Sequence, residues 1–148
     1  MLIHLNVLGI LNKIIIFLCT GNSCRSQIAE GLAKKYLSNY TVKSAGTHPE
    51  PINPLAIEIM NEINIDISNY NSKSFTVRDL EDYDLIITLC GDAKDQCVNL
   101  NSFADKHIHW DIQDPAKVLG SKENKLLFFR NIRNQLGTKI KSLDNVFN

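Results

Sequence analysis

Apolar positions along the chain fall into two periods. Lys13–Leu18 and Asp84–Leu89 are short, nearly continuous, Ile-rich runs of the kind that suits a parallel strand covered on both faces. Thr41–Ala45 and Lys106–Trp110 are weaker β-type candidates. The intervening stretches carry helical spacing. Ser26–Leu37 places Ile28, Leu32, Ala33 and Tyr36 near one face. Pro54–Ile63 begins on a proline and turns Ile57, Met60 and Ile63 inward, and proline at a first helical position is favoured. Glu123–Leu143 aligns Leu126, Phe129, Ile132, Leu136 and Ile140, with Arg133 interrupting the stripe and Gly137 a weak point. Strand and helix alternate throughout, which predicts an α/β domain with a parallel sheet. In such sheets ligands sit at the carboxyl ends of strands, and Cys19 and Cys90 each directly follow a strand.

Composition narrows the function classes. With 148 residues and 44% hydrophobic content the chain is the size of one domain with a substantial core. Sixteen basic residues balance sixteen acidic ones without a block of either sign, which argues against a nucleic-acid or anionic-membrane surface. The apolar N-terminus "MLIHLNVLGILNKIIIFL" is interrupted by His4, Asn6, Asn12 and Lys13, so no membrane span is expected. Residues 1–12 read as an extension of unknown role, and 13–148 as a single domain. Four cysteines stand at 19, 24, 90 and 97. Their spacing does not match zinc pairs, so no metal is expected, and reduced thiols in a cytoplasmic protein are.

The stretch "IIIFLCTGNSCRS" holds the candidate chemistry. Gly21 and Asn22 tolerate left-handed backbone, so successive N–H groups can turn toward one centre. The helix starting near Ser26 adds its N-terminal N–H groups and positive dipole end. Arg25 offers a planar fork that matches two oxygens of a phosphate-like ion. These positive surroundings predict a lowered Cys19 thiol pKa, with the Ser26 hydroxyl as a further donor. A lone cysteine at such a joint is usually an inert core thiol. Cys-x5-Arg-Ser between strand and helix is far more specific and favours an oxyanion cradle beside a nucleophile.

"CTGNSCRSQIAEG", followed by "VKSAG", "NPLAIEIM", "IDIS", "LIITLCGDAKDQC" and "HWDIQDPA", resembles the low-molecular-weight phosphatase superfamily, in particular its thioredoxin-coupled arsenate reductases. The resemblance spans roughly residues 13–142. It implies a four-stranded parallel sheet flanked by helices on both faces. It also implies an oxyanion-binding loop of Thr20, Gly21, Asn22, Ser23, Cys24, Arg25 and Ser26 around the Cys19 nucleophile, with Asp114 as general acid. Taken alone, Asp114-Pro115 would be an ordinary turn dipeptide. For a reductase the resemblance implies a relay: Cys90 attacks Cys19 to release arsenite, and Cys97 then attacks Cys90. The disulfides are Cys19–Cys90 and then Cys90–Cys97, the latter reduced by thioredoxin, with no bound cofactor. If Cys90 and Cys97 share one helix they stand about 10.5 Å apart along its axis. A disulfide needs Cα atoms within about 7 Å, so that segment must unwind.

Two details favour the reductase over a phosphatase. Gln27 stands where the phosphatases usually have proline, and Ala116 where they usually have an aromatic residue. A tyrosine phosphatase is the alternative reading, and a non-catalytic oxyanion-binding redox module the third. Cys24 reads as structural, and His107, His109 and Trp110 as packing or surface residues. Some similar arsenate reductases hold potassium through an Asn, a Glu, a Ser and an Asp. The first three match Asn22, Glu30 and Ser44, whereas Lys73 stands at the fourth. The expectation is that the Lys73 ammonium takes the cation's place, bonded to Glu30 and the loop oxygens.

Overall fold

The computed structural model describes residues 4–5, 11–91 and 101–145. Its sheet contains β1 (His4–Leu5), β2 (Leu11–Cys19), β3 (Tyr40–Gly46), β4 (Leu85–Thr88) and β5 (His107–His109). Four strands run parallel in the order β3-β2-β4-β5. β1 pairs antiparallel with the start of β2, His4 opposite Asn12. β2 is therefore longer than its Ile-rich centre suggests, because pairing with β1 recruits Leu11 and Asn12.

Among the described residues, three α-helices accompany the sheet: α1 (Arg25–Tyr36), α2 (Pro54–Asn61) and α3 (Lys122–Ser142). α2 opens on an Asn53 cap that accepts the Leu55 N–H at 2.9 Å, with Pro54 as its first residue. Ser121 caps α3 in the same way through the Asn124 N–H, satisfying donors that a helix start leaves unpaired. Gly137 is buried within α3 and does not break it. Arg133, the interruption in the apolar stripe, donates to the Ile59 carbonyl and to Glu62 at 2.8 Å each, tying α3 to the end of α2.

Phe17 of β2 meets Trp110 with ring centroids 6.2 Å apart, and Lys139 of α3 lies over that indole. Ile15, Phe17, Ile28, Leu32, Phe129 and Leu136 are among the buried side chains of this core. Each contributes about 1.5–3 kcal/mol by leaving water. Across the sheet, Ile14, Ile16, Thr41, Lys43 and Ala45 face Phe75, Asp79, Asp82 and Tyr83 around a cavity of about 670 Å³. A 3-10 helix, Arg78–Asp82, buries Leu80 at this end. Chain order departs from β2 in both directions, to β3 on one side and β4 on the other. The crevice at such a switch, beyond the carboxyl ends of the strands, is where α/β sheets bind ligands. Cys19 ends β2 and Cys90 follows β4 by two residues, so both reach that edge.

Candidate active site

The peptide carbonyls from Cys19 to Ser23 are all engaged from outside the loop. Thr47, His48, Glu50 and Asn53 donate their backbone N–H to the carbonyls of Cys19, Thr20, Gly21 and Ser23, at 2.8–3.1 Å. The Asn22 carbonyl accepts from Gln27 Nε2 and Ser72 Oγ. In a trans peptide the N–H points opposite to the preceding carbonyl, so holding five carbonyls outward turns the N–H groups of residues 20–24 inward. Asn22 makes the left-handed turn, with φ of 49°; Gly21 does not share it. α1 starts at Arg25 with no side-chain cap and no acidic residue in its first turn, which leaves its orphan donors and positive dipole end for an anion.

Gly46 makes this clasp possible. A Cβ at that position would lie 2.5 Å from the Thr20 carbonyl oxygen and 2.7 Å from the Asn22 nitrogen. β3 can therefore close against the loop only without a side chain there.

The Cys19 thiol is buried, and Ser26 Oγ lies 2.8 Å from its sulfur. Asn22 sets the direction of that contact. The Lys73 N–H, which can only donate, binds Asn22 Oδ1 at 2.9 Å, so the Asn22 amide nitrogen faces Ser26 Oγ (2.7 Å) and Ser44 Oγ (3.0 Å). Ser26 thereby accepts from Asn22 and keeps its own hydrogen for the sulfur. Ser44, likewise an acceptor from Asn22, donates to Glu30 Oε1 at 2.7 Å. The expectation of a lowered thiol pKa does not hold. Burial pushes Cys19 above the ordinary cysteine value, while Ser26, the Arg25 charge and the Asn22 and Ser26 N–H groups pull it back down. Desolvation of a thiolate outweighs these donors. Cys24, also buried, is pushed up to about 12, mainly by burial; it lines the cradle as a neutral thiol.

Arg25 is held from the far side. Its Nη1 donates to the carbonyls of Ile112 (2.9 Å) and Leu89 (3.4 Å), and its Nη2 stands 3.7 Å from Asp114 Oδ2. Asp114 does two things at once. Its Oδ1 caps the short turn Pro115–Lys117 through the Ala116 N–H, and its other oxygen faces the arginine. Cys19, Thr20, Gly21, Ser23, Cys24, Arg25, Glu50 and Asp114 converge with Ala116 and Lys117 on a cavity of about 230 Å³. Cys90 is buried against the other side of Thr20, its sulfur 3.2 Å from Thr20 Oγ1. It lines a neighbouring cleft of about 530 Å³ together with Arg25 and Asp114. Cys97 and the proposed unwinding of its segment lie outside the described residues.

Glu30 and Ser44 join Asn22 as expected, but the Lys73 tether is looser than expected. Its ammonium is 4.0 Å from Glu30 Oε1, half exposed, and hydrogen-bonded to the Asn71 carbonyl at 2.8 Å rather than to the loop oxygens. Lys34, which the motif reading passes over, makes the shorter contact to Glu30, 2.8 Å. It lies four residues after Glu30 on α1, a spacing that signals such a pair. Gln27 does more than stand where the phosphatases usually have proline. It donates to the carbonyls of Asn22 and Asn71, pinning the loop to the chain before Lys73, while its Oε1 is buried without a partner among the described residues. His107 and His109 both contact the Thr88 hydroxyl at 2.8 Å, and Trp110 belongs to the core; these residues stand outside the cradle. Gly46 closes the "VKSAG" stretch at the end of β3 without a role assigned from sequence, and Glu50, on the loop after β3, belongs to none of the quoted motifs.

Residues 14–147 match the family of low molecular weight phosphotyrosine protein phosphatases. The chain belongs to this family. Among relatives, an arsenate reductase of Bacillus subtilis is 47% identical over 131 residues, covering 88% of this chain and 94% of the relative. Solved structures of family proteins have the same fold. An arsenate reductase in the phosphate binding state is 31% identical with a TM-score of 0.69, covering 88% of this chain and 95% of that one. A low molecular weight protein tyrosine phosphatase from T. tengcongensis is 28% identical with a TM-score of 0.77, covering 91% and 99%.

Proposed function

We propose that the chain reduces arsenate to arsenite through a relay of cysteine thiols, with thioredoxin as the final reductant, and serves arsenate detoxification in the cytoplasm. The observation that carries this reading is the second thiol. Cys90 is held on Thr20, the residue that follows Cys19, at the same edge of the sheet. Hydrolysis of a phosphate ester needs no such partner. The relatives named arsenate reductase support the choice of substrate.

Arsenate enters the ring of N–H groups with two oxygens on the Arg25 fork. Cys19 passes its proton to the entering dianion as the sulfur attacks arsenic, with the Ser26 hydroxyl steadying the thiolate. Asp114 protonates the departing oxygen, which leaves as water. The Cys90 thiolate then attacks the Cys19 sulfur. A Cys19–Cys90 bond forms, the electron pair of the sulfur–arsenic bond stays on arsenic, and arsenite leaves two electrons richer. Cys97 displaces Cys19 from Cys90, and the Cys90–Cys97 disulfide passes to the thioredoxin dithiol.

A purified-component assay with arsenate, thioredoxin, thioredoxin reductase and NADPH tests the reading beside an aryl phosphate control. Cys19→Ser abolishes arsenate reduction and any aryl phosphate hydrolysis. Cys90→Ser abolishes reduction yet spares hydrolysis, since that chemistry ends before the second thiol acts. Wild-type reduction by Cys90→Ser would refute the relay. No helix among the described residues is long and apolar enough to cross a membrane.

A further inference from the structure

Lys117 has no task in the reduction proposed above, yet it lines both cavities of the site: the cradle of about 230 Å³ and the cleft of about 530 Å³ that Cys90 lines. It shares that double position with Thr20, Arg25 and Asp114. Those three are already committed. The Thr20 hydroxyl contacts Cys90, while Arg25 bonds the Ile112 carbonyl and faces Asp114. The exposed Lys117 side chain has no ion pair or hydrogen bond among the described residues. Its backbone is fixed all the same. The Lys117 N–H donates to the Asp114 carbonyl and the Val118 N–H to the Pro115 carbonyl, at 3.3 Å each, closing the turn that Asp114 caps.

The charges around the two cavities show what a free ammonium does there. Arg25 and Lys117 stand with Asp114 and Glu50 in the cradle, and with Asp114 and Asp111 in the cleft. Arg25 and Asp114 are 3.7 Å apart, so their fields largely cancel for an ion still at a distance. Without Lys117, Glu50 or Asp111 would leave each cavity net negative toward an arriving dianion. With it the acidic side chains are offset, and the inward N–H groups and the helix dipole decide the sign. The residue type suits capture rather than orientation. Arginine offers a rigid fork for two oxygens, whereas lysine is a point charge on a flexible stem. An ammonium also separates substrate from product, because arsenate arrives as a dianion and arsenous acid is uncharged near neutral pH.

We infer that Lys117 is the specificity-determining residue for ion charge at this site. Its ammonium draws a tetrahedral dianion to the mouth shared by cradle and cleft, passes it to Arg25 and the loop N–H groups, and exerts no hold on an uncharged product. For arsenate the inference rests on the reductase reading, but the capture itself needs only the oxyanion cradle. Probes that require no turnover therefore test it separately.

Cys19 is alkylated with iodoacetate, an anion, and with iodoacetamide, its uncharged counterpart, and both rates are followed on the Cys19 peptide by mass spectrometry. A change in thiolate fraction acts on the two reagents alike, so their rate ratio reads the potential at the sulfur. Lys117→Gln lowers the iodoacetate-to-iodoacetamide ratio about 3-fold at low salt. Lys117→Arg restores it, and the effect shrinks at high salt. The same potential acts on a doubly charged ion, so the factor is squared. Inorganic phosphate, as dianion, then protects Cys19 with an affinity about 10-fold lower, and kcat/KM for arsenate falls about 10-fold through KM. Lys35→Gln makes the same charge change about 15 Å along α1 from Arg25 and moves none of these readings. A structural role for Lys117 would lower kcat or the melting temperature and affect both reagents equally. An unchanged ratio in Lys117→Gln, a loss that Lys117→Arg does not restore, or a fall in arsenate kcat/KM that persists at high salt would overturn the inference. The expected alkylation and phosphate pattern in a protein that does not reduce arsenate leaves the inference standing and overturns the reductase reading alone. Normal arsenate reduction with an unchanged ratio does the reverse.

Discussion

Gly46→Ala is the most telling single substitution, because the structure states what it must move. The new methyl would sit 2.5 Å from the Thr20 carbonyl oxygen and 2.7 Å from the Asn22 nitrogen. Ordinary contact needs about 3.2 Å or more, so strand and loop must part by about 0.7 Å. Both obstructing atoms are backbone, and no flexible side chain can swing aside. The gap opens where the Cys19 and Thr20 carbonyls are held outward by Thr47 and His48, so the inward N–H groups lose their aim. A displacement of about 1 Å in a reacting geometry costs about 100-fold, which places the loss in arsenate turnover at tens of fold to about 100-fold. Overpacking lowers stability by about 1–3 kcal/mol. Gly137→Ala is the matched control. Its Cβ meets nothing within 4 Å, and it lies inside α3, so it adds about 0.5–1 kcal/mol of stability through helix propensity and leaves turnover alone. Steady-state thioredoxin-coupled assays and thermal melts of both variants read the two effects. A Gly46→Ala protein with wild-type kcat/KM would refute the claim that β3 clasps the cradle.

Two further outcomes follow from the charges and donors. Ser26→Ala removes a group that holds the Cys19 thiol pKa down against burial. The midpoint of iodoacetamide alkylation against pH therefore moves upward, and turnover near neutral pH falls about 10-fold or more; an unmoved midpoint would show that Ser26 does not donate to the sulfur. Glu62 is held below the usual carboxylate range by hydrogen bonds from Arg130 and then Arg133, with burial opposing. A depressed carboxylate contributes stability that is present above its unfolded value and lost as pH falls through the folded one. Glu62→Gln then lowers stability at pH 7 by a few tenths to about 1 kcal/mol, since the group is solvent-screened. The variant's melting temperature should converge on the wild type's below about pH 4; a constant gap from pH 7 to pH 3 would contradict the assignment.

The chain's local chemistry was legible in the sequence because nucleophile, turn residues, arginine and helix start lie within eight consecutive residues. A strand that ends on Cys19 and a helix that begins at Arg25 leave the loop between them little freedom. The parallel sheet was equally readable, since its nearly continuous Ile-rich runs mark strands covered on both faces even though β5 has only three residues. Pairwise i,i+4 information, as in Glu30 and Lys34, was also present in the chain. The state of the Cys19 thiol was not. Donor residues can be named from sequence, but desolvation depends on everything packed around the sulfur, and here it outweighs the donors. The outward hold on four of the five loop carbonyls likewise comes from residues 47–53, and part of the fifth from Ser72, which no spacing rule connects to residues 19–23. Lys73 shows the same limit: its position follows from the motif, but a long flexible side chain chooses among acceptors, and the Asn71 carbonyl is nearer than Glu30. Glu50 and the Asp114–Arg25 pairing arise only when β3 and β5 deliver their following loops to one edge of the sheet. Covalent neighbours decide backbone conformation; burial, charge and distance belong to groups that only folding brings together.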